Sequence, residues 1–185
     1  VLTIHTADLL IPGGGKPPLP GGAVLVEGRQ LAAVEVYDDM VAAHPSARVR
    51  RWPGVLAPGL VNPYGPELLE QAYHPDPREE LGSEPISGEA LESLDMTDTR
   101  WGASARRGVQ RLLAQGTVAV VGPLRRPAVI DAVHRSGLTI EHSFTEEPLI
   151  PLLPGMEATF AAFETQDLTA CVATVIKGRL LHRRR

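Results

Sequence analysis

Up to residue 61 the apolar positions of this chain come in short runs cut by Gly and Pro. Residues 3 to 11 read as a strand ended by Pro12-Gly13-Gly14-Gly15, and the Pro/Gly-rich stretch to Gly22 reads as a loop. Ala23–Glu27 and Gln30–Val34 flank Gly28-Arg29 as the arms of a hairpin. A short helix or turn is expected over 37–46, then strands over 49–52 and 55–61. Such a string of short strands predicts an antiparallel unit rather than a βαβ repeat. From 62 to 86 Pro, Gly and Glu dominate and an exposed loop is expected, with a short helix starting at Ser87.

The period then becomes helical. Trp101, Ala105, Val109, Leu112 and Leu113 recur at spacings of three and four, which predicts a helix over 99–115 with one apolar face. Gly116 sits just past its end, where a left-handed conformation is needed. Thr117–Val121 is a continuous apolar run of the buried-strand kind. Pro127 suits the first turn of a helix that runs to Ser136 and closes at Gly137, and a strand begins at Leu138. Strand, helix and strand in this order predict a βαβ unit with parallel strands and a right-handed crossover. Residues 141–151 form an acidic linker, 158–163 and 168–175 read as strands, and Lys177-Gly178-Arg179 is a tight turn into Leu180-Leu181-His182.

Composition narrows the classes. With 185 residues, 43% of them hydrophobic, the chain can bury a core, and its aromatic content of 4% makes that core mostly Leu, Val and Ala. The net charge of −4 gives no general attraction to nucleic acid or to an anionic membrane. No apolar run is long enough for a transmembrane helix, and no signal-peptide pattern opens the chain. One cysteine, Cys171, excludes an internal disulfide and suits a reducing cytoplasm, the expected location.

Val55-Leu56-Ala57-Pro58-Gly59-Leu60-Val61-Asn62-Pro63-Tyr64-Gly65-Pro66 resembles the PGLVNxHxH signature of the amidohydrolase superfamily, metal-dependent hydrolases and deaminases on a TIM barrel. In that family two His after the first barrel strand hold a divalent metal; here Tyr64 and Pro66 stand in their places. Residues 105–121 are similar to the family's next helix and strand, and 127–140 to the pair after that. Residues 153–163 resemble its C-terminal PGxxAD turn, with Thr159 for the usual Asp, and 171–182 its closing hairpin. The resemblance is nearest to the imidazolonepropionase and cytosine-deaminase branch, whose chain ends jointly build a small β-sandwich. It implies an α+β fold: a composite β-sandwich from 1–61 with 152–185, and a truncated barrel remnant of loop, helices and βαβ unit over 62–151. A complete (β/α)8 barrel needs roughly 250 residues, so the later strands, with their His ligands and catalytic Asp, have no counterpart here.

The candidate chemistry is sparse. The histidines, His5, His44, His74, His134, His142 and His182, show no metal-ligand spacing, and no metal or other cofactor is expected. Glu141-His142 with Glu146-Glu147 is the one acid–His cluster, and its plainer reading is a solvated linker. His74 falls on an expected loop. Gly13-Gly14-Gly15-Lys16 lacks phosphate-loop spacing. Cys171 reads as a buried, inert thiol. Gly122-Pro123-Leu124-Arg125-Arg126-Pro127 joins a strand's end to a helix start, a place where a small anionic ligand would meet Arg125 and Arg126; a solvent-facing basic loop is the plainer reading. Tyr64 either lines a relic ligand pocket or packs over a sheet end. Arg183-Arg184-Arg185 is a frayed basic end too short for nucleic acid, with no basic face elsewhere. Ligand contacts are therefore expected at Tyr64, Arg125, Arg126 and His142. Open sheet edges and an uncovered apolar face predict a homodimer or a partner protein. The functions implied are a non-catalytic binding, scaffold or regulatory protein, or a hydrolase or deaminase of a cyclic, non-peptide carbon–nitrogen bond, either metal-free or with a site completed at a dimer interface.

Overall fold

The structure, a computed structural model, describes residues 1–184. In chain order the elements are β1 (Leu2–Thr6), β2 (Leu9–Leu10), β3 (Leu19–Pro20), β4 (Gly22–Glu27), β5 (Gln30–Val36), α1 (Tyr37–Ala43), β6 (Arg48–Arg51), β7 (Val55–Pro58) and β8 (Leu60–Asn62). There follow α2 (Gly65–Leu69), β9 (Ala72–Tyr73), β10 (Ile86–Ser87), α3 (Gly88–Glu92), α4 (Asp98–Ala114), β11 (Thr117–Val121), α5 (Pro127–Ser136) and β12 (Thr139–Glu141). The last strands are β13 (Phe160–Phe163), β14 (Cys171–Ile176) and β15 (Arg179–Arg183). The chain forms two compact units: Val1–Leu60 with Leu113–Val118 and Thr145–Arg185, and Val61–Leu112 with Ala119–Phe144.

The first unit is a β-sandwich. Its sheets run β5-β4-β1-β6 and β15-β14-β13-β7-β2-β3. Inward residues of both sheets share one core: Val24, Val26 and Leu31 from the first, Leu10, Leu56, Phe160, Ala162, Ala173 and Val175 from the second. The sandwich is composite because β13, from the C-terminal segment, pairs antiparallel with β7, from the N-terminal one, Phe160 opposite Pro58 and Phe163 opposite Val55. The other face of the first sheet is covered by α1, whose Met40 packs with Ile4, Ala23 and Leu25.

The expected strand over 3–11 is instead two strands in different sheets. β1 pairs with β4 and β6, and β2 with β7 and β3. The break falls at Ala7-Asp8, where the Asp8 carboxylate accepts a hydrogen bond from the Gly54 N–H at 3.2 Å. A run of apolar residues in the sequence does not reveal that a strand changes sheet.

In the second unit, β11 and β12 pair in parallel, Ala119 opposite Thr139 and Val121 opposite Glu141, and α5 joins them. Pro127 opens α5 and Gly137, at φ 92°, closes it. The α4 helix buries Trp101, Ala105, Val109, Leu112 and Leu113, the apolar face read from their spacing. Gly116 follows it at φ 85°, and a Cβ there would stand 2.6 Å from Cζ of Phe163. Left-handed geometry and close packing thus both demand glycine.

One further expectation is corrected. The stretch 62–86 is not simply a loop: it holds α2, β9, a 3-10 turn over Pro77–Glu79 and β10, and it buries Leu69, Tyr73 and His74. All five residues of β11 are buried. Both edges of the three-stranded sheet β12-β11-β8 are half-buried strands.

Candidate functional site

The signature segment builds a helix start rather than a ligand set. The Asn62 side-chain oxygen accepts from the Tyr64 N–H at 2.9 Å, which turns the chain into α2. Tyr64 is the residue before that helix, and Pro66 lies in its first turn. The Tyr64 side chain is 60% exposed. Gly65 is held against β11: a Cβ there would lie 2.3 Å from the Val121 carbonyl oxygen.

The fold gathers the other expected ligand residues at the same end of β11 and β12. Gly122 N–H donates to the Glu141 carbonyl at 2.8 Å, so the loop carrying Arg125 and Arg126 lies beside the chain entering His142. The anion place at the head of α5 is filled by the protein itself. Oε1 of Glu70 accepts from the backbone N–H of Arg125 at 2.7 Å and of Arg126 at 2.5 Å. The Arg126 guanidinium stacks on the Trp101 ring at 4.3 Å. Arg125 and His142 are exposed. The four residues share a locality at this end of β11 and β12.

Sequence reading missed the most ordered polar cluster of this unit. The Tyr73 hydroxyl is bonded to Glu79 Oε2 at 2.5 Å and accepts from Arg100 Nε and Arg107 Nη2, each at 3.3 Å. Arg100 also reaches Glu79 Oε1 at 3.0 Å, and Arg107 Nε donates to the His74 carbonyl at 2.7 Å. The hydrogen bond from Tyr73, then that from the Asp76 N–H, holds the Glu79 carboxyl below the usual carboxylate range. Hydrogen bonds from Arg78 do the same for Asp76. Two signals were present in the sequence: Asp76-Pro77-Arg78-Glu79 has capping-box spacing, and Arg100 and Arg107 lie two turns apart on one helix face. Both carboxylates are committed to ion pairs, so the cluster clamps the 72–80 segment onto α4 and offers no free acid or base.

His74 is buried, not on an exposed loop. Its Nε2 donates to the Leu68 carbonyl at 2.7 Å, which leaves Nδ1 as the unprotonated nitrogen, buried and without a partner. Burial pushes its pKa down. A lone neutral nitrogen is one metal ligand, whereas a catalytic zinc site takes about three protein ligands. Among the described residues no group of three His, Cys, Asp or Glu side chains is placed to hold a metal ion. The residues present therefore do not fit the divalent metal that the signature implies. Cys171 is buried, and burial raises its thiol pKa.

Two stacked sheets drawn from both ends of the chain, with a parallel βαβ unit between those ends in sequence, make a fold that solved structures share. The chain resembles the ochratoxinase of A. niger with 23% identity and a TM-score of 0.53, over 75% of this chain and 30% of that one. It resembles a zinc-bound adenosine deaminase from Xanthomonas campestris at 17% identity and TM-score 0.55, covering 75% and 32%. It resembles triazine hydrolase from Arthrobacter aurescens at 16% and 0.51, covering 75% and 34%. The chain spans about a third of the length of these proteins. No protein-family model matches it, and no curated protein does. At these identities the likeness is one of fold. No helix among the described residues is long and apolar enough to cross a membrane.

Proposed function

We propose that this chain is a non-catalytic relative of the amidohydrolases, a binding, scaffold or regulatory protein acting in the cytoplasm as a homodimer or with a stable partner. One observation carries the reading: at the metal signature the chain places an exposed Tyr64 and a helix-starting Pro66, and among the described residues no group of three His, Cys, Asp or Glu side chains is placed to hold a metal instead. Catalysis in a metal-dependent hydrolase rests on a polarised water, and that requires several ligands converging on one point. The open edges of β8 and β12 favour pairing with another chain. A second reading, a hydrolase or deaminase of a cyclic carbon–nitrogen bond completed at a dimer interface or metal-free, is favoured by the kinds of enzyme that share the fold.

Elemental analysis of natively purified protein, with its mass in solution and a turnover assay on cyclic amides and aminopyrimidines, separates the two. The expected result is substoichiometric metal, no turnover, and a dimer or a co-purifying partner. About one zinc or iron per chain, or turnover abolished by His142→Ala, overturns the non-catalytic reading.

A further inference from the structure

The terminal arginines and the Arg48-Val49-Arg50-Arg51 run are far apart in sequence, yet the sandwich brings them together. β6 is an edge strand of the four-stranded sheet and β15 an edge strand of the six-stranded sheet. Arg50 is in register with His5, whose ring packs edge-on against the core residue Phe160 at 5.0 Å, so Arg50 and Arg48 lie on the core side of their sheet. Arg183 is in register with Ala173, also a core residue. Its guanidinium lies over the Trp52 ring at 5.7 Å from the centroid, and Trp52 directly follows β6. On the opposite face Arg51 stacks on Tyr37 at 4.2 Å. Arg183 and Arg184 are thus no frayed tail: Arg183 ends a strand, and Arg184 N–H donates to the Val172 carbonyl while its side chain pairs with Glu164. Arg185 lies outside the described residues.

We propose that the flank of the sandwich between β6 and β15 binds a chain of linked phosphates through Arg48, Arg50 and Arg183, with Trp52 as its floor. Among the described residues none of these three guanidinium groups has a carboxylate within salt-bridge distance, although the protein carries more acidic than basic residues. Partial burial, then the charges of Arg48 and Arg183, holds Arg50 below its ordinary pKa, so the three like charges repel one another as they stand. An anion relieves that repulsion, and guanidinium forks match phosphate oxygens in pairs. Arg48 and Arg50 are two residues apart on one strand face, and with Arg183 they carry more positive charge than a single phosphate dianion neutralises, whereas a chain of linked phosphates carries enough negative charge for all three. The site does not depend on whether the chain hydrolyses anything.

The test is calorimetry with sodium tripolyphosphate and, separately, metal-free ATP, on wild type, Arg50→Met and Arg183→Ala. Saturable binding of both ligands is expected, weakened by about tenfold or more in each variant. Equal affinities point to a free phosphate chain, and tighter ATP to a nucleotide-borne one. Arg50→Met removes a repelled charge, so without anion it should melt no lower than wild type while losing the anion-induced rise in Tm. No saturable heat with either ligand, or binding unchanged in both variants, overturns the proposal.

Discussion

His5 makes the stability of this protein depend on pH below 6.5. Its ring is 3% exposed, and its Nδ1 accepts a hydrogen bond from Trp52 Nε1 at 3.1 Å. Burial pushes its pKa down to about 3, and like charge from Arg50 and Arg48 of the neighbouring strand adds to the shift. Below the ordinary value of 6.5 the unfolded chain takes up a proton at His5, and the folded chain does not until about pH 3. The unfolded state therefore binds more protons throughout that window, and stability falls as pH falls from 6.5 towards 3. The slope is about 1.4 kcal/mol per pH unit, so lowering the pH by about two units from 6.5 removes roughly 2–3 kcal/mol through this one group. That is a large share of a typical stability of about 5–15 kcal/mol.

His5→Gln keeps an acceptor oxygen for the indole N–H and does not titrate. Urea unfolding followed by tryptophan fluorescence between about pH 7.5 and pH 4.5 then reads the difference between the two proteins. The variant should be less stable near neutrality by about 1–3 kcal/mol, since its amide N–H groups are imperfectly satisfied. The gap should narrow steadily as pH falls. His74 and His182, whose pKa values burial also lowers, titrate in both proteins and cancel. Parallel stability curves for the two proteins would refute the assignment of a neutral, hydrogen-bonded His5.

Glu70 closes the turn between β11 and α5. Glu70→Ala should cost about 2 kcal/mol by stranding the Arg125 and Arg126 amides, and Glu70→Gln, which keeps an oxygen, should cost less. Hydrogen exchange at those two amides should quicken in the alanine variant, and unchanged exchange would mean that water satisfies them equally well. Gly116→Ala places a Cβ 2.6 Å from Phe163 at φ 85°, and a loss of about 2–4 kcal/mol in thermal unfolding is expected. Part of that loss should return when Phe163→Leu is added, and full additivity of the two changes would show that only the backbone conformation matters.

What the sequence determined by itself is whatever depends on neighbours a few residues away. The apolar face of α4, the Pro127 start and Gly137 end of α5, the glycine after α4 and the parallel β11-α5-β12 unit follow from spacing and backbone chemistry, which act locally. The segment around Asn62–Pro66 was legible as a pointer to the fold, and Tyr64 and Pro66 as residues unlike a His-x-His ligand pair. The stretch 62–86 was not legible, because its order comes from Arg100 and Arg107 reaching back across about thirty residues to Tyr73, Glu79 and the His74 carbonyl. The split of the first strand was also hidden, since Ala7-Asp8 changes sheet through a contact with Gly54.

Only the tertiary structure decided the electrostatics. It gave the amides beside Arg125 and Arg126 an internal carboxylate, and it turned two separate arginine runs into one flank over Trp52. A charge in a sequence has no neighbours until strand pairing supplies them. Register, unlike propensity, is set by the packing of both sheets on a shared core.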